Sequence, residues 1–334
     1  MAETLLVSPP SQAGPLRVGL IGFGYWGRKL HDALRQQPEF DLRHVHVRSP
    51  GQLNAEDLQA LQDVELSDRS SRLWSDSTLQ AVIVATPIAS HYALCREALL
   101  AGKHVLVEKP LALTEREARE LAELAASRGL TLQTDYTWTF SPGLCRASQL
   151  IEQQWLGKLR HIQLRFHQLG RFREDDVGPL LAVHMLSILT MFTDLARLRW
   201  TKRIGVGSRE RASSILLYGE DSGSGLSVML DGSLDDPVRE RSVVLFGDHG
   251  SLSFRPLSDD NTLQGVLYSR EPSTDDKVHA ATSLNLCTRE DDNLSHALSA
   301  FAEAVSGRGP SNIEQSVAIT ATLEHLFSAT FAEL

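Results

Sequence analysis

Basic clusters, long apolar runs and paired cysteines are what this chain does not have. Its 33 Lys and Arg stand against 42 Asp and Glu, for a formal net charge of −9, and the cations gather into no patch. A nucleic-acid binder needs a basic face, so no nucleic-acid partner is expected. No apolar run reaches the roughly 18 residues of a membrane span, so no membrane partner is expected either. The three cysteines, Cys95, Cys145 and Cys287, are odd in number and far apart. They suggest neither a disulfide framework nor a metal site, which fits a reducing, cytoplasmic location. The opening MAETLLVSPPSQAGP has no basic segment followed by an apolar one. It reads as a loose leader over residues 1–15 rather than a signal peptide. No internal repeat or low-complexity segment occurs.

What is present is enough chain, 334 residues with 42% hydrophobic, for two domains with separate cores. LRVGLIGFGYWGRKLHDAL starts as a buried strand, turns on Gly22, Gly24 and Gly27, and continues as a helix to about Gln36. A bare GxGxxG is weak, but between strand and helix it is the dinucleotide-binding turn. Gly22 permits the tight turn, Gly24 leaves room for a pyrophosphate, and Gly27 lets the helix pack on the strand. The helix N-terminus then offers its unpaired N–H groups to phosphate. The alternation continues through LRHVHV, LQAVIVATP, HVLVEKP, a helix with a Thr114/Glu117 capping box, and LTLQTDYT. Such a run predicts a doubly wound parallel sheet, a Rossmann domain over residues 16–137.

The end of the second strand bears on cofactor choice. An NAD site places Asp or Glu there for the ribose 2′-hydroxyl. HVHVRSPG has no carboxylate, but Arg48 and Ser49 suit a 2′-phosphate. NADP(H) is therefore favoured, with NAD(H) possible.

From about Trp138 the pattern changes. A helix leads into LRHIQLRFHQ, in which Ile162, Leu164 and Phe166 share one face and His161, Gln163, Arg165 and His167 the other. RIGVGSR, ASSILLYG, GLSVMLDG, RSVVLFGDHGSLSF and TLQGVLYS follow with Gly and Asp turns. They predict a second α/β domain over residues 138–334, with a large, mostly antiparallel open sheet. The paired histidines His161/His167 and His44/His46 are read as polar strand faces rather than metal ligands, and no metal is expected. Two helices close the chain, the second with a Ser311/Glu314 capping box. EPSTDDK and REDDN read as solvated loops.

VIVATPIASHYALCREALLAGKHVLVEKPLALT together with GFGYWGRKL resembles the glucose–fructose oxidoreductase/inositol dehydrogenase family, Gfo/Idh/MocA. The likeness spans most of the chain from Leu16. It implies a nicotinamide-dependent oxidoreductase acting on a hydroxyl or keto carbon of a sugar-like substrate. Its open second sheet implies a homodimer or homotetramer. Besides the turn residues Phe23, Tyr25 and Trp26, the resemblance sets Ala85, Thr86, Pro87, His91, Glu108, Lys109 and Pro110 around the cofactor. Lys109 matches the lysine of the EKP motif and is expected to give or take the proton of the reacting oxygen, since a desolvated lysine sheds its charge readily. The Lys109–Pro110 bond is expected to be cis.

GPLLAVHMLSILTMF predicts a buried helix beginning after Pro179, with His184, Ser187 and Thr190 as one narrow polar stripe. A buried stripe of this kind needs partners or a cavity. The resembling family puts a substrate-facing histidine on this helix, so His184 is expected to hold the reacting oxygen near Lys109. The family's aspartate four residues earlier is replaced by Leu180, and an aspartate three residues later by Ser187. Asp175 and Asp176 stand just upstream as substitutes. Two other readings stay open: a cofactor-binding protein of low catalytic power, in a regulatory or assembly role, and a reductase of a non-sugar carbonyl or imine.

Overall fold

The alternating strand and helix patterns of the first third close into one parallel sheet. The computed structural model describes residues 14–169, 177–206, 212–255, 262–268, 280–287 and 293–331. Six strands make the first sheet: β1 (Leu16–Ile21), β2 (Phe40–His46), β3 (Glu65–Ser67), β4 (Ala81–Val84), β5 (His104–Glu108) and β6 (Leu132–Asp135). They run parallel in the order β3-β2-β1-β4-β5-β6. Helices α1 (Tyr25–Gln36), α2 (Ala55–Ala60), α3 (Ser71–Ser75), α4 (His91–Leu100) and α5 (Glu115–Ser127) lie between them. Strand β4 is buried at every residue, as a strand covered on both faces must be. The strand order reverses between β1 and β4, and that reversal opens a crevice at their carboxyl ends. Gly22, Ala85 and Lys109 each follow the end of a strand there.

The second sheet has eight strands: β7 (Leu159–Leu169), β8 (Arg199–Val206), β9 (Ala212–Asp221), β10 (Leu226–Ser233), β11 (Asp235–Gly247), β12 (Gly250–Phe254), β13 (Thr262–Tyr268) and β14 (Ala280–Cys287). Their order is β14-β13-β12-β11-β7-β10-β9-β8. The β7–β10 pair is parallel and the other neighbours are antiparallel, so the sheet is mostly antiparallel, as the sequence suggests. One face buries Ile162, Leu164 and Phe166 against α6 (Pro142–Glu152) and α7 (Val183–Leu189). The other carries His161, which meets Ser227 Oγ at 2.8 Å, and His167, 2.8 Å from Asp236 and 3.0 Å from Asp231. His44 meets Ser67 Oγ, and His46 the Ser67 carbonyl. Among the described residues, no group of three or more His, Cys, Asp or Glu is placed to hold a metal ion.

The end of the chain returns to the first sheet. In α8 (Asn293–Val305), Leu294, Leu298 and Phe301 share a core with Leu20, Leu30 and Leu34. From α9 (Ile313–Phe331), Val317 enters the first sheet's core, while Ile319 and Leu323 enter the second's. The helix pair thus joins the two layers. No helix among the described residues is long and apolar enough to cross a membrane.

Several local expectations change. The Ser311/Glu314 capping box does not form. The Ser311 hydroxyl donates instead to the Leu132 carbonyl, and Asn312 accepts from the Thr134 N–H at 2.9 Å, so this segment anchors α9 to β6. At α5 the box is half as expected: Thr114 Oγ1 accepts from the Glu117 N–H, but the Glu117 carboxylate accepts from Leu113 rather than Thr114. The helix expected after Pro179 begins with a π turn, Gly178–Ala182, in which the Val183 N–H donates to the Gly178 carbonyl five residues back. That wider turn takes Leu180 out of a simple stack beneath His184, and Leu180 packs on the second core. Most of the leader, LGRFREDD beyond Leu169, Asp175, Asp176, EPSTDDK and the acidic turn at 290–292 lie outside the described residues.

Candidate active site

The glycine turn is built as its spacing requires. Gly22 has φ +96°, and a β-carbon there would stand 2.5 Å from the Ala85 carbonyl oxygen. A β-carbon on Gly27 would lie 2.9 Å from the Gly22 carbonyl carbon. Gly24 is different: a β-carbon there would meet nothing within 4 Å. The protein itself does not demand glycine at that position, so the open space is room for a ligand. Gly24 also caps α1 with no side-chain hydrogen bond, and the first turn holds no acidic residue. The uncapped N–H groups and the positive end of the helix dipole are therefore available to an anion. These features fit a dinucleotide: the turn and the α1 N-terminus would hold its pyrophosphate.

The flanking residues divide by exposure. Tyr25 and Trp26 are exposed at the start of α1, with Lys29 Nζ 4.9 Å and 5.0 Å from their ring centres. Phe23 points the other way and packs edge-on against His31 inside the first core. Only its backbone faces the crevice side of the turn. Arg48 and Ser49 are exposed just beyond β2, whose His46 carbonyl accepts from the Gly22 N–H at 2.9 Å. They therefore stand beside the glycine turn.

His91 is only 1% exposed. Its Nδ1 lies 2.9 Å from the Pro110 carbonyl and its Nε2 2.8 Å from the Thr86 carbonyl. It ties the Ala85–Thr86–Pro87 loop to the Glu108–Lys109–Pro110 loop from behind, so it positions both rather than presenting itself to a ligand. Burial lowers its pKa. The Lys109–Pro110 bond is cis. Glu108 is buried and pairs in register with Asp135 on β6. Its Oε2 accepts from the Lys109 N–H at 3.3 Å. Burial pushes the Glu108 carboxyl up to about 7, against the pull of the adjacent Lys109 charge.

A cavity of about 520 Å³ opens between α1 and the second sheet. Tyr25, Trp26, Lys29 and Asp32 of α1, Thr137 and Trp138 after β6, His184 of α7, Arg239 and Arg241 of β11, and the start of α8 line it. His184 Nδ1 is buried with no partner among the described residues. Burial, then the Lys109 charge, then the Arg241 charge hold its pKa well below the ordinary histidine value, so the ring is neutral at pH 7. A neutral imidazole has one donor and one acceptor to offer. Lys109 does not line this cavity, but it stands near enough at the end of β5 for its charge to act on His184. The polar stripe on α7 does not reach the cavity as a unit. Ser187 Oγ donates to the His184 carbonyl at 2.8 Å, and Thr190 Oγ1 to the Ser187 carbonyl at 2.6 Å. Both hydroxyls are satisfied by their own helix.

Arg239, Arg241, Trp138 and Lys29 were not singled out by sequence reasoning. The signal for Arg241 is its alternation with Val243 and Leu245, which puts a cation on the strand face that is otherwise buried.

Comparison with known proteins places similar chains among oxidoreductases. The model GFO_IDH_MocA, described as an oxidoreductase family with an NAD-binding Rossmann fold, matches residues 16–136. The Escherichia coli protein described as uncharacterized oxidoreductase YdgJ is 26% identical over 255 residues, covering 71% of this chain and 70% of that one. A dTDP-3,4-didehydro-2,6-dideoxy-alpha-D-glucose 3-reductase of Streptomyces violaceoruber is 29% identical over 248 residues, covering 69% and 68%. The crystal structure of GenD2 from gentamicin A biosynthesis, in complex with NAD, superposes with TM-score 0.79 at 21% identity, over 96% of this chain and 95% of that one.

Proposed function

We propose that the chain, whose residues 16–136 match the Gfo/Idh/MocA oxidoreductase family model, moves hydride between NADP(H) and a hydroxyl-bearing or keto carbon of a sugar-like substrate. The observation that carries this reading is His184 Nδ1, unpartnered among the described residues on the wall of a cavity that runs along α1 from Tyr25 and Trp26, the residues that follow the glycine turn. A polar atom in that state on a cavity wall can take a hydrogen bond from a bound ligand.

The nicotinamide, when bound, supplies the hydride acceptor or donor. In the oxidative direction, the carbinol C–H electron pair leaves as hydride, the hydroxyl O–H bond breaks, and its proton passes to Lys109 Nζ as the C=O bond forms. Reduction runs the same steps backward. His184 hydrogen-bonds the reacting oxygen and holds it toward Lys109. Trp26 and Trp138 narrow the cavity and displace water from the reacting carbon. Arg48 and Ser49 take the 2′-phosphate, which makes NADP(H) the preferred cofactor.

The outer face of the second sheet exposes Leu216 and Tyr218. We assign it to self-association as a dimer or tetramer in the cytoplasm. Light scattering on the purified protein reads the oligomer directly.

The reading is tested by titrating the protein with NADPH and NADH, followed by energy transfer from tryptophan, and then by a screen of sugars and keto-sugars for nicotinamide turnover. NADPH binding with turnover above about 1 per second supports it. Cofactor binding without turnover of any sugar favours a protein of low catalytic power. The replacement of the family's aspartate by Leu180 is the feature that such a result would explain.

A further inference from the structure

Arg241 is a buried cation that meets no anion among the described residues. It stands on β11, its side chain turned with Val243 and Leu245 toward the helices, and it is 7% exposed. Its Nη1 donates to the His167 and Glu240 backbone carbonyls at 2.8 and 2.9 Å, and its Nη2 to Gln168 Oε1 at 2.5 Å. Its Cζ lies 4.6 Å from the centre of the Phe166 ring. Every one of these partners is neutral. They satisfy N–H groups, but none of these described partners compensates the charge, and a buried uncompensated charge is strongly unfavourable. The nearby Glu240 carboxylate is spent elsewhere, 3.7 Å from Arg165. Among the described residues, no Asp or Glu pairs with Arg241.

The cavity around it has the same sign. Among the described residues, Lys29, Arg239 and Arg241 line it, along with one acid, Asp32, which lies 2.9 Å from His31 Nδ1. Burial and Arg239 bring the Arg241 pKa down to about 10, so the guanidinium remains charged at neutral pH. Such a cavity is shaped for a ligand that brings negative charge.

Two sources of that charge are conceivable: the cofactor's phosphates and the substrate. The phosphates have their own place at the glycine turn. Arg241 lies on the other wall and shares Phe166 with His184, whose ring centre is 6.5 Å from that of Phe166. The anion it serves is therefore next to the group that holds the reacting oxygen. Resting on the reading of this cavity as the substrate site, we propose that the sugar-like substrate carries an anionic group, a carboxylate or a phosphate, and that Arg241 binds it. Arg241 then decides substrate class, rejecting neutral sugars that leave its charge unpaired.

The test is calorimetric titration of the NADP⁺-loaded protein with glucose, glucuronate and glucose 1-phosphate. The expected result is that glucuronate or glucose 1-phosphate binds at least about tenfold more tightly than glucose. Whichever charged probe wins identifies carboxylate or phosphate as the recognised group. Arg241→Gln should erase most of that preference, and Arg241→Lys should restore part of it. Unchanged NADPH binding and a single cooperative unfolding transition report an intact fold, and Arg241→Lys carries the test if Arg241→Gln does not fold. Equal affinity for the three probes, or binding of none, overturns the proposal. So does a preference that survives Arg241→Gln, or an Arg241→Gln variant that weakens NADPH in place of the probe. Failure of the hydride-transfer reading looks different: the charged probe still binds selectively, but no sugar reduces NADP⁺.

Discussion

Gly27 faces the Gly22 carbonyl so closely that a β-carbon on Gly27 would lie 2.9 Å from the carbonyl carbon. The contact is backbone to side-chain position, so neither partner has a rotamer with which to yield. Gly27→Ala should therefore destabilise the fold by about 1–3 kcal/mol, the usual range for overpacking. Gly24→Ala should leave the unfolding midpoint unchanged, because nothing lies within 4 Å of its β-carbon position, yet weaken NADPH binding by about tenfold. Urea unfolding and cofactor titration on the two variants separate packing from ligand contact.

Lys109→Met keeps a stem of similar length and removes the proton carrier. Turnover should fall by about 10²–10⁴-fold with cofactor affinity retained. A variant that turns over as fast as the wild type would remove Lys109 from the chemistry. Single-turnover rates with saturating cofactor are the appropriate readout.

Arg48→Ala should cost about 1.4 kcal/mol of NADPH binding, about tenfold, and leave NADH binding unchanged. Equal losses for the two cofactors would show that Arg48 does not read the 2′-phosphate.

The Glu108 carboxyl, raised by burial to about 7, ties stability to pH. The folded protein holds this proton more tightly than the unfolded chain, whose carboxyl ionises near its ordinary 4.5. Its contribution is therefore complete below about pH 4.5 and is lost as pH rises through about 7. Glu108→Gln should gain stability relative to the wild type as pH rises across that window. Urea midpoints of both proteins at about pH 4.5 and pH 8 test the sign. A constant difference would mean that Lys109 keeps Glu108 ionised throughout.

The first sheet was legible because its signals are local. Strand, glycine turn and helix follow one another within Leu16–Gln36, and the EKP loop follows directly on β5. Glycine's φ and the absence of its β-carbon are properties of single residues, so the turn's needs can be read position by position. The face of each strand could be read in the same way, since Ile162, Leu164 and Phe166 alternate with His161, Gln163 and Arg165. His184 stood out as an imidazole in an apolar run.

What the sequence could not supply were meetings between distant segments. Ser187 and Thr190 looked like part of the same stripe as His184, but their hydroxyls turn to their own helix. Ser311 looked like a cap and instead holds β6. The return of α8 to the first sheet joins residues from opposite ends of the chain in one core, Leu20 with Leu298. Arg241 is the clearest case. Periodicity assigns it to a buried face, but only the packing of β11 beside β7 and α7 puts its charge near Phe166 and His184 with no carboxylate among the described residues. Backbone preference and side-chain facing are set within a few residues, whereas the neighbours of a buried charge are set by every element that folds around it.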